Sequence, residues 1–445
     1  MADSSQPEEP EEPENSPIPG FPGFLFGGTG GDFDPSKFDF SQIDLGQVMR
    51  LLQSTGPVNW EIARQTAEWV ALEGQPEPPV SARDREQFEE LAHAAQTLVV
   101  GETGLTATFA TALATVGPKG WVDLHLVALR PVLEAMATTL GAAMQQVGDD
   151  DEDDDVAGAG GFPGMPGMAG LAGLAGMGNM MGLLAPALLG VQAGSMIGYL
   201  AQHALGRYDL PLPTGPAPVG GSPGGDAPTL CFVVPNIDAF EDAWSLPRDD
   251  LRFYVALHET VHAAARSVPW VRGRLVRLAI DYVSSYEIDP SAFEAEFGMI
   301  DPQDPEAMQR MTENPERVLG AMQSPAQVAP REELQRLTAV VEGYADHVLT
   351  QIGRRLIPTF DQIHEAMQRH RVERGEAERF IEGLLGLKLE RAHYERGQAF
   401  VDGVVERAGI EGLNRLWEEQ SMLPTTNELD APGLWLARIE LPDPN

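Results

Sequence analysis

Hydrophobic and polar positions divide this chain into stretches of different character. Residues 1–40, rich in Pro, Glu, Gly and Ser and then in Gly and Phe, carry no helical or strand period. Such a segment buries too little apolar surface to offset its ordering entropy, and it reads as a disordered tail. Residues 41–147 carry apolar stripes at helical spacing: Val48, Leu51 and Leu52; Trp60, Ile62, Ala63, Ala67 and Val70; Phe88, Leu91, Ala92, Ala95 and Leu98; Leu126, Leu129, Leu133, Met136 and Leu140. They predict a helical block. An acidic and then Gly-rich linker at 148–165 leads into a Gly/Ala/Met-rich helix and a Gly/Pro loop at 166–228. The last stretch, 229–445, opens on the strand-like run Thr229 to Val234 and continues as helices. The expected fold class is mainly α, with one short strand region ahead of the helix that carries the densest chemistry.

That helix holds Leu257-His258-Glu259-Thr260-Val261-His262. Leu251, Tyr254, Val255, His258, Val261, His262 and Ala265 recur at helical spacing, Ser245 and Asp249-Asp250 suit a start, and Pro269 a stop. Residues four apart share a helix face, so His258 and His262 can present two imidazoles to one Zn²⁺. Glu259, about 100° round the helix, can reach a water on that metal as general base. This is equipment for metal-assisted hydrolysis.

Charge and composition narrow the partners. The net charge of −37, from 67 acidic and 30 basic residues, leaves no surplus of Lys or Arg to displace counterions from phosphates, which excludes tight nucleic-acid binding. Much of the charge is local, in Glu8 to Glu14 and Asp149 to Asp155. The single cysteine, Cys231, rules out an intramolecular disulfide framework and Cys-rich zinc sites, and its strand-like setting makes it a buried small hydrophobe. The N-terminus lacks the basic and apolar regions of a secretory signal, so the expected location is cytoplasmic. Met180 to Leu200 is long enough to cross a bilayer. Its acidic or neutral flanks, the interruptions Asn179 and Gln192, and its small residues favour instead a Gly/Ala-faced helix buried against the rest of the protein.

Two histidines leave a catalytic zinc one protein ligand short. Arg331 to Leu356 is a periodic helix with Leu334, Leu337, Val341, Ala345 and Val348 as its buried stripe, and it carries Glu342-Gly343-Tyr344-Ala345-Asp346. Glu342 and Asp346 share a face, so one can bind the metal while the other fixes a ligand histidine. Asp281, 19 residues after His262, and Glu287 are rival ligands. A metzincin continuation is absent, since Ala265 and Val268 stand where Gly and His are needed.

With His258-Glu259-x-x-His262, then Glu342-Gly343-Tyr344-Ala345 or Glu342 and Asp346, then Tyr394-Glu395-Arg396-Gly397-Gln398-Ala399, the chain resembles the gluzincin group of zinc peptidases. Over most of its length it is also similar to poorly characterised zincin-like hydrolases of actinobacteria. The resemblance implies a zincin-like catalytic domain over 229–445, Zn²⁺ on His258, His262 and Glu342, Asp346 behind a ligand histidine, and the Tyr394 hydroxyl as oxyanion donor. The implied activity is cleavage of a peptide or protein substrate. Two departures limit the transfer: Trp270 to Pro330 must loop out as an insertion, and the G-x-M-E-N exopeptidase motif is missing. A catalytically inactive scaffold or binding protein on the same fold, and a membrane-associated regulatory protease built on Met180 to Leu200, are the alternatives. His93, His125, His347, His364, His370 and His393 read as surface or core histidines, and Tyr344 as packing.

Overall fold

In the computed structural model, residues 56–105, 112–149, 177–214, 229–287, 323–372, 376–387 and 391–440 are described. Helices take up 78% of them, so the fold is mainly α, as the periodicity predicts. The tail at 1–40, its phenylalanines, the stripe at Val48 to Leu52 and most of the acidic and Gly-rich linker lie outside the described residues.

The elements in chain order begin with helix α1 (Trp60–Ala71), α2 (Ala82–Thr103), strand β1 (Ala112–Val116), α3 (Pro118–Asp149), α4 (Met177–His203) and β2 (Thr229–Val233). There follow α5 (Val234–Trp244), α6 (Arg248–Ser267), α7 (Pro269–Val283), α8 (Val328–Leu356) and α9 (Phe360–Val372). The chain closes with α10 (Glu376–Leu384), α11 (Arg391–Asn414), α12 (Thr426–Asp430) and α13 (Pro432–Glu440). One contiguous core of buried apolar side chains runs from Val58 to Ile439, so the helices before and after residue 229 share an interior.

Three features differ from the sequence reading. Ala112–Val116, inside the expected helical block, is a strand paired in parallel with β2 in the register Ala114 opposite Cys231. A mostly apolar run of five residues carries no period that tells strand from helix, and only the long-range pairing decides it. The segment expected to loop out after Trp270 begins as α7, which buries Val271, Leu275, Leu278, Ala279, Tyr282 and Val283 in the core. Ser245 is the left-handed C-cap of α5, and α6 starts at Arg248. α6 does end just ahead of Pro269, as expected, and Pro269 then opens α7.

The Gly/Ala-rich segment forms the buried helix expected of it. Gly190, Gly194 and Gly198 of α4 lie against the carbonyls of Asn59, Ala63 and Ala67 at the start of and along α1, where an added Cβ would come within 2.5, 2.3 and 2.5 Å. Two helices approach this closely only where one of them has no side chains to hold them apart. No helix among the described residues is long and apolar enough to cross a membrane.

β2 is buried along its whole length. One edge is taken by β1, and on the other Gly206 bridges Phe232 while the Val233 N–H donates to the Leu205 carbonyl, 2.9 Å. The strand therefore supports α6 and offers no open edge to a peptide. Phe232 stacks on Phe88 of α2 at 4.5 Å. Arg252 of α6, 0% exposed, lies over the same Phe88 ring and donates to Asp84, Gln87 and Asp238. A buried guanidinium with this many partners fixes the rotation of α6 about its axis.

Candidate active site

Asp250, Tyr254, His258, His262 and Arg266 follow one another at four-residue steps along α6, and so line one face of it. The first three meet α9. The Asp250 carboxylate accepts from the Thr359 hydroxyl at 2.6 Å, Tyr254 Oη lies 3.0 Å from His364 Nδ1, and the Arg371 guanidinium lies 2.6 Å from His258 Nε2. The last two meet α8. His262 Nδ1 is 3.8 Å from Glu342 Oε1, and Arg266 is 3.9 Å from the same oxygen.

Of the three acidic residues weighed as third ligand, Glu342 is therefore the one that faces a histidine of the motif. Asp281 is 41% exposed and paired with Arg277 one turn away on α7 at 3.1 Å. Glu287, at the end of the described segment, is exposed.

His258 and His262 have ring centroids 4.4 Å apart. Burial, with the His258 ring and the Arg266 and Arg371 guanidiniums nearby, holds the His262 imidazole well below the usual histidine range. It is neutral, the form a metal needs. Both His262 ring nitrogens and Glu342 Oε1 are buried without a hydrogen-bond partner. Polar atoms so placed are costly unless something satisfies them.

Two imidazoles and a carboxylate are the donor set of a catalytic zinc, and three of their buried atoms make no hydrogen bond, so the residues suit such an ion in kind. The expected convergence is nevertheless incomplete: among the described residues no three His, Cys, Asp or Glu side chains are drawn together closely enough to hold a metal. Arg371 stands among these residues. Its guanidinium engages His258 Nε2 and lies 3.8 Å from Glu342 Oε2, between donors that a metal would share.

Glu259, 0% exposed, is turned towards the chain leaving α4. Its carboxylate accepts from the backbone N–H groups of Arg207 and Tyr208, each at 2.9 Å, and Oε1 lies 3.7 Å from His258 Nδ1. Gly206 makes room for it, since a Cβ there would meet the carboxylate at 2.4 Å. An ionised carboxylate offers about four acceptor positions, so two N–H donors orient Glu259 and leave it acceptor capacity.

α8 and α11 cross at glycines. A Cβ on Gly343 would meet the Gly397 carbonyl carbon at 2.5 Å, and one on Gly397 would meet the Ala339 oxygen at 2.1 Å. Glu342 precedes one glycine and Tyr394 sits a turn before the other, which brings both to the wall of one cavity of about 670 Å³, with Asp346, His364 and Arg371 also lining it. Asp346 faces α9: its Oδ1 is 3.6 Å from His364 Nε2 and accepts from Gln368 at 3.4 Å. Its histidine partner is thus His364 rather than His258 or His262, because four residues beyond Glu342 the helix has advanced a full turn along α9.

Several site residues carried little signal in the sequence. Arg266 was legible in principle as the next four-residue step after His262. Asp209, buried behind the site, lies 3.6 Å from His370. Burial opposes its ionisation, but the His370 and His258 imidazoles and the Leu205 N–H outweigh that and hold its carboxyl below the usual range. His125 is a core residue, stacked on Trp121 at 3.6 Å and donating from Nδ1 to the Trp121 carbonyl, 2.9 Å. His347 pairs with Asp402 at 2.9 Å, and Tyr344 packs edge-on to Trp417.

A family model described as "Zincin-like metallopeptidase" matches residues 58–436. Among solved structures, the chain is similar to a crystal structure described as a putative hydrolase with a novel fold from Chloroflexus aurantiacus. The two are 25% identical with a TM-score of 0.55, over 86% of this chain and 99% of that one. A search of curated proteins found no match.

Proposed function

Because this chain belongs to the zincin-like metallopeptidase family, we propose that it is a zinc-dependent hydrolase acting on peptide or amide bonds, with His258, His262 and Glu342 as the metal's protein ligands. The observation that carries the reading is the pairing of His262 with Glu342 across α6 and α8 at 3.8 Å, with both ring nitrogens and Glu342 Oε1 buried without a hydrogen bond. A zinc ion on these residues supplies Lewis acidity towards a carbonyl oxygen and a water acidified towards neutral pH.

The chain's own residues do the rest. Glu259 is the proton acceptor, held in one orientation by the Arg207 and Tyr208 N–H groups. Its position beside His258 on α6 puts it next to the metal ligands without making it one. Tyr394, on the wall of the cavity that Glu342 also lines, is the hydroxyl donor for charge developing on the substrate oxygen. Asp346 acts through His364, holding that imidazole against Tyr254 at the cavity's edge.

A second reading, a binding protein on an inactive zincin frame, is favoured by Arg371 on His258 and by the backbone N–H groups on Glu259. Hydrolysis of a broad peptide library, with zinc content measured for each protein, separates the two. The hydrolase reading expects cleavage by the zinc-loaded wild type, and a Glu259→Gln variant that keeps its zinc and loses turnover. Zinc-loaded wild type that cleaves nothing would overturn it in favour of the binding protein.

A further inference from the structure

Arg371 and a metal compete for the same atoms. A lone pair on His258 Nε2 that accepts from a guanidinium at 2.6 Å is not available to a cation, and the same guanidinium is the neighbour of Glu342 Oε2 at 3.8 Å. Metal on His258 and Glu342 therefore sends the Arg371 side chain elsewhere. It already borders the 670 Å³ cavity, its side chain is only 8% exposed, and its Nε is buried without a partner.

The charges around that cavity decide what the displaced guanidinium meets. Arg369 is held by Glu365 and Arg391 by Glu395, each at 2.8 Å within its own helix. Asp346 faces His364 and Gln368. Once Glu342 serves a metal, no other described carboxylate lining the cavity is in contact with Arg371: Asp346, which still acts on it through space, faces His364 and Gln368, and Arg371 is left a sheltered cation with no paired carboxylate among the described residues. A buried unpaired charge is strongly unfavourable, and a carboxylate is the ligand its planar fork fits best.

We propose that metal loading converts Arg371 into a carboxylate-binding residue, so that this site takes substrates presenting a carboxylate beside the bond to be cleaved. The proposal rests on the zinc reading above and names the substrate class for that same site. The carboxylate can come from a peptide's C-terminus or from an Asp or Glu side chain. Because both ligands bear on the position of one side chain, carboxylate and metal favour each other's binding by the same factor.

The test measures zinc affinity of the full chain at buffered free zinc, alone and with N-acetyl-alanine, N-acetyl-alaninamide or the α-amide of N-acetyl-aspartate. The expected result is an affinity about fivefold or more higher with a carboxylate present and unchanged with N-acetyl-alaninamide. The stronger of the two acids identifies a C-terminal or a side-chain carboxylate as the source. Arg371→Met is expected to bind zinc more tightly than wild type without any ligand, and to lose the response to carboxylate. Arg266→Met removes an equal charge near Glu342 without touching His258 and is expected to keep the response.

Wild-type zinc affinity that is the same with the acids as with the amide overturns the proposal and leaves the hydrolase reading in place, as does an Arg371→Met protein that still responds. Zinc bound by neither wild type nor Arg371→Met overturns both. The wild-type comparison of acids with amide needs no variant to fold.

Discussion

Gly343 and Gly397 touch backbone to backbone where α8 crosses α11, and this contact brings Glu342 and Tyr394 to one cavity. Each glycine lies within a turn of the residue proposed to act at the site, Glu342 before Gly343 and Tyr394 before Gly397. The glycines serve the site through distance, setting how near the carboxylate and the hydroxyl can come.

Replacing either glycine tests this. Gly343→Ala and Gly397→Ala each press a methyl group onto backbone that cannot rotate away, and overpacking of this kind costs about 1–3 kcal/mol. Gly273→Ala on α7, where an added Cβ meets nothing within 4 Å, is the control. It should be neutral or gain up to about 1 kcal/mol from helix propensity. Urea denaturation midpoints measure all three.

The choice of third ligand is tested by zinc content. Glu342→Gln should lose most of its metal, whereas Asp281→Asn and Glu287→Gln should retain it, because Asp281 is spent on Arg277 at the surface of α7. His262→Ala should hold none, against about one zinc per chain in wild type. Zinc lost from Asp281→Asn and kept by Glu342→Gln would show that the α6–α8 pairing is not the metal's.

Tyr394→Phe should keep its zinc and lose roughly 10²–10³-fold in kcat, the usual effect of removing one oxyanion donor. Asp346→Asn, acting through His364, should lose less, about 10–100-fold. Peptide-cleavage kinetics alongside zinc analysis distinguish them. Equal rates for Tyr394→Phe and wild type would remove that hydroxyl from the chemistry.

Stability should fall in acid, and His125 should account for part of it. Burial, reinforced by the Arg207 charge, lowers its pKa from 6.5 to about 3. Between those values the unfolded chain binds a proton that the folded chain does not, so stability decreases as pH drops below 6.5 and goes on decreasing to about 3. One proton corresponds to roughly 1.4 kcal/mol per pH unit. His125→Phe should flatten the stability-against-pH curve over that window, whatever its effect at neutral pH.

What the sequence disclosed and what it hid follow the range of the interactions involved. The α6 face was legible because His258, Glu259 and His262 are set by helix geometry alone, and the buried stripe of α8 by the same period. Glu342 was legible as part of a local motif, and α4 through its small residues. β1 was not, because five mostly apolar residues become a strand only when β2, more than a hundred residues on, lies beside them. Arg371 was hidden for the same reason. It is 113 residues from His258 in sequence, in a basic stretch that looks like a solvated helix end, and only the packing of α9 on α6 turns it inward. Asp346 was placed on the right face but assigned the wrong histidine, since which turn of α9 stands opposite is a matter of tertiary offset.

The glycine seam between α1 and α4 bears on the order in which the chain is made. α4 presents an uncharged, largely apolar surface to whatever surrounds it as it leaves the ribosome, yet α1 has emerged before it. The cover for Gly190, Gly194 and Gly198 is therefore at hand when they appear, and the hydrophobic helix need not wait in the open for the later, site-bearing helices. A rearranged chain with α1 and α2 moved behind α13 would synthesise α4 ahead of its cover. Such a chain would be expected to depend more heavily on chaperones while folding to the same end state.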